Sequence, residues 1–432
     1  MNSIFILFKK PKISHTSLMS APRLSMFADV YRSDAKVTRF LGSLVLFGVS
    51  YGLYRGIQDN YLAEIIHISP FERGIVEFFR EIPGLLVIFI LALMYRFSDS
   101  RIFKIGLSLT LGGIIGLLFC SSELLRTKFL VVLFMVLFSF GEHITMPVRS
   151  TISMDLAKRE KAGVSLGITA SIHQLGNIVG FLIVMSLFLL LSKKGFGRTN
   201  ILGFRIIFGM AFGIMVASVL TALTIKETTT KSMRRRFYFA RKFHKYYMME
   251  IFYGARKQVF LTFAPYVLIL HYGADPSIMS LLYAVCAGAG IFCGPLTGRI
   301  IDKLGYKVVM VGDTLILIVV CLLYGFSHRL FPKDIAFIVV CSNFVMDSVI
   351  SMASMANNVY VQRIASSQEE VTATLSTGIS VNHLISIIIA LVGGWIWKVT
   401  GIEYLFTLSA LLGLISSIYA ATIKKSEEHN PQ

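Results

Sequence analysis

Charged residues are scarce in this chain. They make up 15% of its 432 residues, against roughly 25% in soluble domains, while 55% are hydrophobic and the mean hydropathy is +0.71. That balance excludes an ordinary soluble fold. Also lacking is a G-x-x-x-x-G-K-[ST] phosphate loop, so ATP is not expected to drive this chain directly. Outside the apolar runs there is no room for a soluble catalytic domain, and no nucleophile and base stand out, so an enzyme is not expected. The five cysteines (Cys120, Cys286, Cys293, Cys321, Cys341) sit in or at the ends of apolar runs, without C-x-x-C or His/Cys spacing. They read as small apolar fillers, with no disulfide frame, metal site or cofactor expected. The opening "MNSIFILFKKPK" has too short an apolar run, with its charges on the wrong side, for a secretory signal.

What the chain does have is twelve apolar runs, near 38–63, 75–95, 102–122, 128–153, 162–191, 202–225, 247–271, 277–300, 307–327, 334–360, 372–397 and 402–423. Each is long enough to cross a hydrocarbon core of about 30 Å. The fold expected is an all-α integral membrane protein with twelve transmembrane helices. The net charge of +18 invites a nucleic-acid reading, but most of the 42 lysines and arginines lie in the tails and alternate loops on one side of that topology. Such an asymmetry places both termini in the cytoplasm, in a plasma or bacterial inner membrane, and argues against nucleic acid. The run "KSMRRRFYFARKFHKYY" (231–247) reads as an anchor on an anionic lipid leaflet, with a specific lipid or protein partner as the competing reading.

The longest hydrophilic interval between runs, 226–246, follows the sixth. It divides the chain into a cytoplasmic tail (1–37), a six-helix bundle (38–225), a basic linker (226–246), a second six-helix bundle (247–423) and a short tail (424–432). Internal matches support duplication. "YGLYR" (51–55) pairs with "YGARK" (253–257), "YRFSDSRIFK" (95–104) with "GRIIDKLGYK" (298–307), and "SLGITASIHQL" (165–175) with "STGISVNHLI" (376–385), in order and at nearly constant separation.

Twelve spans in two halves, with the loop pattern G-x-x-x-D-x-x-G-x-[RK] standing complete as Gly298, Asp302, Gly305 and Lys307, resemble the major facilitator superfamily from about 38 to 423. The first-half copy keeps Asp99, Arg101 and Lys104, while Tyr95 and Ile102 replace both glycines. The resemblance implies two pseudo-symmetric bundles, and a gating role for these loops, which fasten the cytoplasmic helix ends when the cavity opens outward. The plainer reading is that they only orient the loops.

Several charges lie inside the spans, where burial costs a few kcal/mol or more unless they are paired or face water. Tyr51, Arg55 and Asp59 share one helix face, and Arg55 can pair with Asp59. With their counterparts Tyr253, Arg256 and Lys257 they are candidates for a substrate cavity; a structural ion pair is the alternative. Cations after a tyrosine in the first and seventh spans are similar to the organophosphate:phosphate antiporters, which implies an anionic solute. Against that, Arg256 and Lys257 can be neutralised by Glu250 or Glu81. Glu77, Arg80 and Glu81 cluster before Pro83 and Gly84, where the helix is soft. Glu142 with His143 in the fourth span, Asp347 in the tenth, His173 and Gln174 in the fifth and His383 in the eleventh complete the expected substrate contacts. Glu77, Glu81, Glu142 and Asp347 are the candidates to carry a coupling proton. Packing of Gly163/Gly167 and Gly176/Gly180 would let neighbouring helices approach closely.

The leading expectation is a monomeric secondary transporter of a small polar solute, with anions among the candidates, coupled to a proton or solute gradient. Proton-driven efflux of lipophilic drugs and a non-transporting ligand sensor are the alternatives.

Overall fold

The structure, a computed structural model, describes residues 29–31, 35–122, 126–158, 160–197, 200–226 and 238–423. Most of both expected tails and residues 227–237 of the basic linker lie outside the described residues. The described residues form twelve long helices: α1 (Ala35–Ile65, its last turn a π-helix), α2 (Pro70–Leu93), α3 (Asp99–Cys120), α4 (Lys128–Leu156), α5 (Ala162–Lys193), α6 (Ile201–Leu223), α7 (His244–Tyr272), α8 (Pro276–Leu304), α9 (Tyr306–Leu330), α10 (Lys333–Ile364), α11 (Gln368–Thr400) and α12 (Ile402–Ala421). Ten are long and apolar enough to cross a membrane. The two that fall short, α2 and α7, interrupt their apolar runs with Glu77, Arg80 and Glu81, and with Arg256, Lys257 and Gln258. The chain is a multi-pass integral membrane protein.

Helix boundaries follow local chemistry. Ser69 caps α2, accepting from the Glu72 amide at 3.3 Å while the Glu72 carboxylate accepts from the Ser69 amide at 2.8 Å. Asp275 caps α8 by accepting from the amides of Ser277 and Ile278, both at 3.0 Å. Gly305, in the loop motif, turns the chain from α8 into α9 at φ +84°, a conformation that favours glycine.

The helices pack with an internal two-fold relation. In the first bundle α1 packs on α5 and α6, and α3 on α4 and α6; in the second, α7 packs on α11 and α12, and α9 on α10 and α12. The bundles meet along two equivalent seams, α2 with α11 and α5 with α8. Within the first bundle, Gly176 and Gly180 bring α5 against α1: a Cβ on Gly176 would lie 2.9 Å from the Val49 amide nitrogen, and one on Gly180 2.7 Å from that of Leu53. The other expected pair, Gly163 and Gly167, faces nothing within 4 Å, because it lies one or more turns beyond that contact.

Contacts between the bundles are dense at the end of the molecule away from residues 31 and 423. Asn60 Nδ2 donates to the Ala274 carbonyl at 2.9 Å, Ser280 Oγ to the Gly56 carbonyl at 3.0 Å, and Lys398 Nζ sits 5.1 Å from the Phe71 ring centre. At the opposite end the motif loops bind within their own bundles. Lys104 Nζ donates to the Ile225 carbonyl at 2.7 Å, and Lys307 Nζ to the Ile423 carbonyl at 2.8 Å. Each lysine thus tethers the start of one helix to the end of its bundle's last helix. Asp99 is buried; Arg101 and Asp302 are exposed, and Gly298 faces open space.

Part of the basic run is held by protein. Lys242 Nζ pairs with Glu370 at 2.7 Å, and the Tyr238 hydroxyl donates to the same carboxylate at 2.6 Å.

Candidate functional site

Between the bundles lies a cavity of about 510 Å³. Its walls come from α1 (Tyr51, Arg55), α2 (Arg80, Glu81), α4 (Glu142, His143), α7 (Tyr246, Glu250, Tyr253, Lys257), α10 (Ser354, Asn358) and α11 (Asn382, His383). Tyr246 lies in the first turn of α7, so the cavity runs towards the end of the molecule that carries residues 31 and 423. Beyond Arg55 and Glu81 the dense contacts close it.

A ladder of ion pairs forms the closed floor. Arg55 Nη1 lies 3.5 Å from Asp59 Oδ2 and donates to Gln58 Oε1 at 2.9 Å. Asp59 Oδ1 accepts from Arg73 Nη2 at 3.1 Å, and Arg73 Nη1 reaches Glu77 at 2.6 Å. Glu77 also pairs with Arg80, whose Nη2 meets Glu81 Oε1 at 2.5 Å. Three cations and three carboxylates therefore alternate from α1 along α2, and Arg73, with 0% exposure, is the most enclosed of the cations. Such a string is tolerable in a low-dielectric interior because no charge is left without its opposite. Two rungs reach the other bundle: the Tyr283 hydroxyl donates to Asp59 Oδ2 at 2.6 Å, and His383 Nδ1 lies 2.7 Å from Glu81 Oε2.

The second bundle faces the cavity differently. Lys257 Nζ donates to Asn382 Oδ1 at 3.0 Å and has no carboxylate within ion-pair distance among the described residues. Asn382 Nδ2 in turn donates to Glu250 at 3.3 Å, and Asn357 Nδ2 donates to its other oxygen at 3.1 Å. Glu250 thus meets Lys257 through an amide and not directly. Arg256, one residue before Lys257, points away from the cavity: its guanidinium lies 3.8 Å from Asp313 on α9, beside a void of about 20 Å³ with room for about one water.

Of the residues expected to contact substrate, the cavity brings together Tyr51, Arg55, Glu142, His143, Tyr253, Lys257 and His383. Five lie elsewhere. Asp59 is in the ladder, and Arg256 is in the second bundle with Asp313. His173 packs between α5 and α1, its ring 5.1 Å from Phe47 and 5.8 Å from Tyr51. Gln174 neighbours Asn177 on the same side of α5, and Asp347 on α10 is not among the cavity walls. Among the carboxylates expected to carry a proton, Glu81 and Glu142 line the cavity, whereas Glu77 is held between Arg73 and Arg80. Arg73, Tyr283 and Asp313 were not expected. Asp313 carried a signal, as a lone acid in an otherwise apolar run; Arg73, just before the apolar stretch, and Tyr283 carried none.

The sequence pattern of the Major Facilitator Superfamily matches residues 246–432, the second bundle, and the first bundle repeats that bundle's packing around the shared cavity. That match covers 187 of the 432 residues, from the start of the second bundle onward. Solved structures that share the fold span both bundles. A nucleoside transporter, NupG, superposes with TM-score 0.68 at 14% identity, covering 90% of this chain and 99% of its own. A D-xylose-proton symporter gives 0.69 at 13% identity, with 91% and 98% covered. A bacterial homolog of the human lysosomal transporter Spinster, inward-facing and occupied, gives 0.66 at 15%, with 96% and 100% covered. No curated protein sequence matches this chain.

Proposed function

We propose that the chain is a secondary transporter that moves a small polar solute by alternating access, driven by a proton or solute gradient. The observation that carries this reading is the cavity itself, which lies between two pseudo-symmetric bundles, closed at one end and extending to the other. With both termini cytoplasmic, as the lysine and arginine distribution argues, this conformation faces the cytoplasm. A carboxylate or phosphate on the solute would meet Lys257, the cavity cation held only by an amide oxygen; Arg55 is already answered by Asp59. Polar cargo also agrees with the fold's occurrence in a nucleoside transporter and a xylose-proton symporter. Local similarity to organophosphate:phosphate antiporters points the same way at Lys257 and only weakly at Arg256, which faces Asp313.

The test is a thermal-shift screen of purified protein against phosphorylated and carboxylated metabolites, sugars, nucleosides and lipophilic cations, followed by flux of any stabilising solute into proteoliposomes. Stabilisation by an anion that is lost in Lys257→Ala, with flux, supports the reading. Binding without flux indicates a sensor, and stabilisation by lipophilic cations alone indicates drug efflux.

A further inference from the structure

The floor of the cavity holds one group of side chains whose arrangement exceeds what an ion-pair ladder requires. Glu81 on α2, His143 on α4 and His383 on α11 each present a donor atom within 4.8 Å of the others. The His143 and His383 rings are 5.2 Å apart, centre to centre. His143 is 8% exposed, and its Nδ1 lies 2.8 Å from the Ser139 carbonyl. That contact places the proton on Nδ1 and leaves Nε2 with a free lone pair. This is the orientation that a backbone carbonyl imposes on metal-binding imidazoles. Nε2 makes no hydrogen bond among the described residues and points at the space beside Gly84.

Gly84 is the second observation. It lies three residues after Glu81, on the same side of α2, and a Cβ there would sit 2.7 Å from both His143 Nε2 and His383 Nδ1. The missing side chain therefore keeps open a point flanked by two imidazole nitrogens. Glu81 contributes the third donor: Oε1 faces Arg80, while Oε2 is 2.7 Å from His383 Nδ1. Arg80, the nearest opposing cation, is itself paired with Glu77.

We infer that Glu81, His143 and His383 form a binding site for a divalent transition-metal ion of the zinc class. Two imidazoles and one carboxylate suit Zn²⁺, Co²⁺ or Fe²⁺, and are too nitrogen-rich for Mg²⁺ or Ca²⁺. Tetrahedral coordination at about 2.0–2.1 Å sets neighbouring donors about 3.3 Å apart, so the widest separation closes by about 1.5 Å, a side-chain rotation. The ion takes the place of the proton between His383 and Glu81, which leaves to the water in the cavity. A fourth position stays open to that water. Because the ligands come from both bundles, a bound ion pins α2 and α4 to α11 and favours this conformation. The site is independent of which solute is carried: loss of metal binding leaves the transport reading intact, and absence of flux leaves the site intact.

The test is a titration of the full chain, purified without a polyhistidine tag, with Co²⁺ alone, read by visible absorption and then displaced with Zn²⁺. The expected result is one saturating Co²⁺ per chain with the d–d bands of nitrogen and oxygen ligation, no thiolate charge-transfer band, and displacement by Zn²⁺. Glu81→Gln and His383→Asn should each weaken binding at least tenfold. Gly84→Ala keeps every ligand and should weaken it too, so the result does not rest on variants that disturb the ladder; each variant is scored only as monodisperse protein. Absence of saturable binding in the unaltered chain overturns the proposal. Binding that survives all three substitutions, or one that shows thiolate bands, overturns it as well.

Discussion

Replacing Tyr283 by Phe removes one oxygen from the closed end of the cavity. The hydroxyl lost is the one that donates to Asp59 across the seam at 2.6 Å, while the ring beneath Arg55, 5.5 Å from its guanidinium carbon, stays in place. Asp59 keeps both arginines, so the first bundle is not left with an unpaired charge. The change therefore acts on the contact between bundles and spares each bundle's interior. A hydrogen bond to a charged group contributes about 1.5–3 kcal/mol. When this end opens, both groups regain water, so the conformation open at this end gains on the present one by about ten- to a hundred-fold in population. Spin labels at Leu202 and Asp334, both exposed on that end of the two bundles, report the change by pulsed electron resonance. The expected outcome is growth of a longer-distance population in Tyr283→Phe. If the variant is folded and its distance distribution superimposes on that of the unaltered protein, the ladder does not hold this end shut.

Other outcomes follow from the same contacts. Arg73→Met leaves two buried carboxylates without their shared partner and should cost about 3–5 kcal/mol in melting experiments; adding Asp59→Asn should recover part of that loss, and a double variant no more stable than the single refutes the coupling. Lys257→Ala should reduce solute uptake into proteoliposomes more than Arg55→Ala, because Arg55 is already neutralised; the reverse order would locate the anion contact on α1. Gly180→Ala should destabilise by about 1–3 kcal/mol through overpacking against α1, with Gly163→Ala, which faces open space, melting as the unaltered protein does; equal melting of the two would refute the glycine contact.

Much of the architecture was legible because a span is a local property. An apolar run, a loop motif and a repeat are all read along the chain, and the twelve helices and their pairing across two halves followed. The Arg55–Asp59 pair was legible for the same reason, four residues being about one turn. The rest of the site depends on which helix faces which, and no local spacing contains that. Asp59 was assigned to the cavity, but its third partner, Arg73, comes from the next helix and draws it into the floor. Arg256 and Lys257 are neighbours in sequence and about 100° apart around α7; Lys257 faces the cavity, while Asp313 holds Arg256 in the second bundle. Gly163 and Gly167 carry the same spacing as Gly176 and Gly180, yet only the latter pair meets α1.

The polarity of α7 bears on how the protein is made. Glu250 takes its hydrogen bonds from Asn357 and Asn382, which follow it by 107 and 132 residues. At a synthesis rate of about 5–20 residues per second, roughly 7–26 s separate the synthesis of Glu250 from that of the last of these partners. Over that interval α7 carries its polar residues without the two later helices that supply the amides to Glu250. The carboxylate's two amide partners thus lie on helices made only after α7, and its hydrogen bonds complete when α11 joins the bundle.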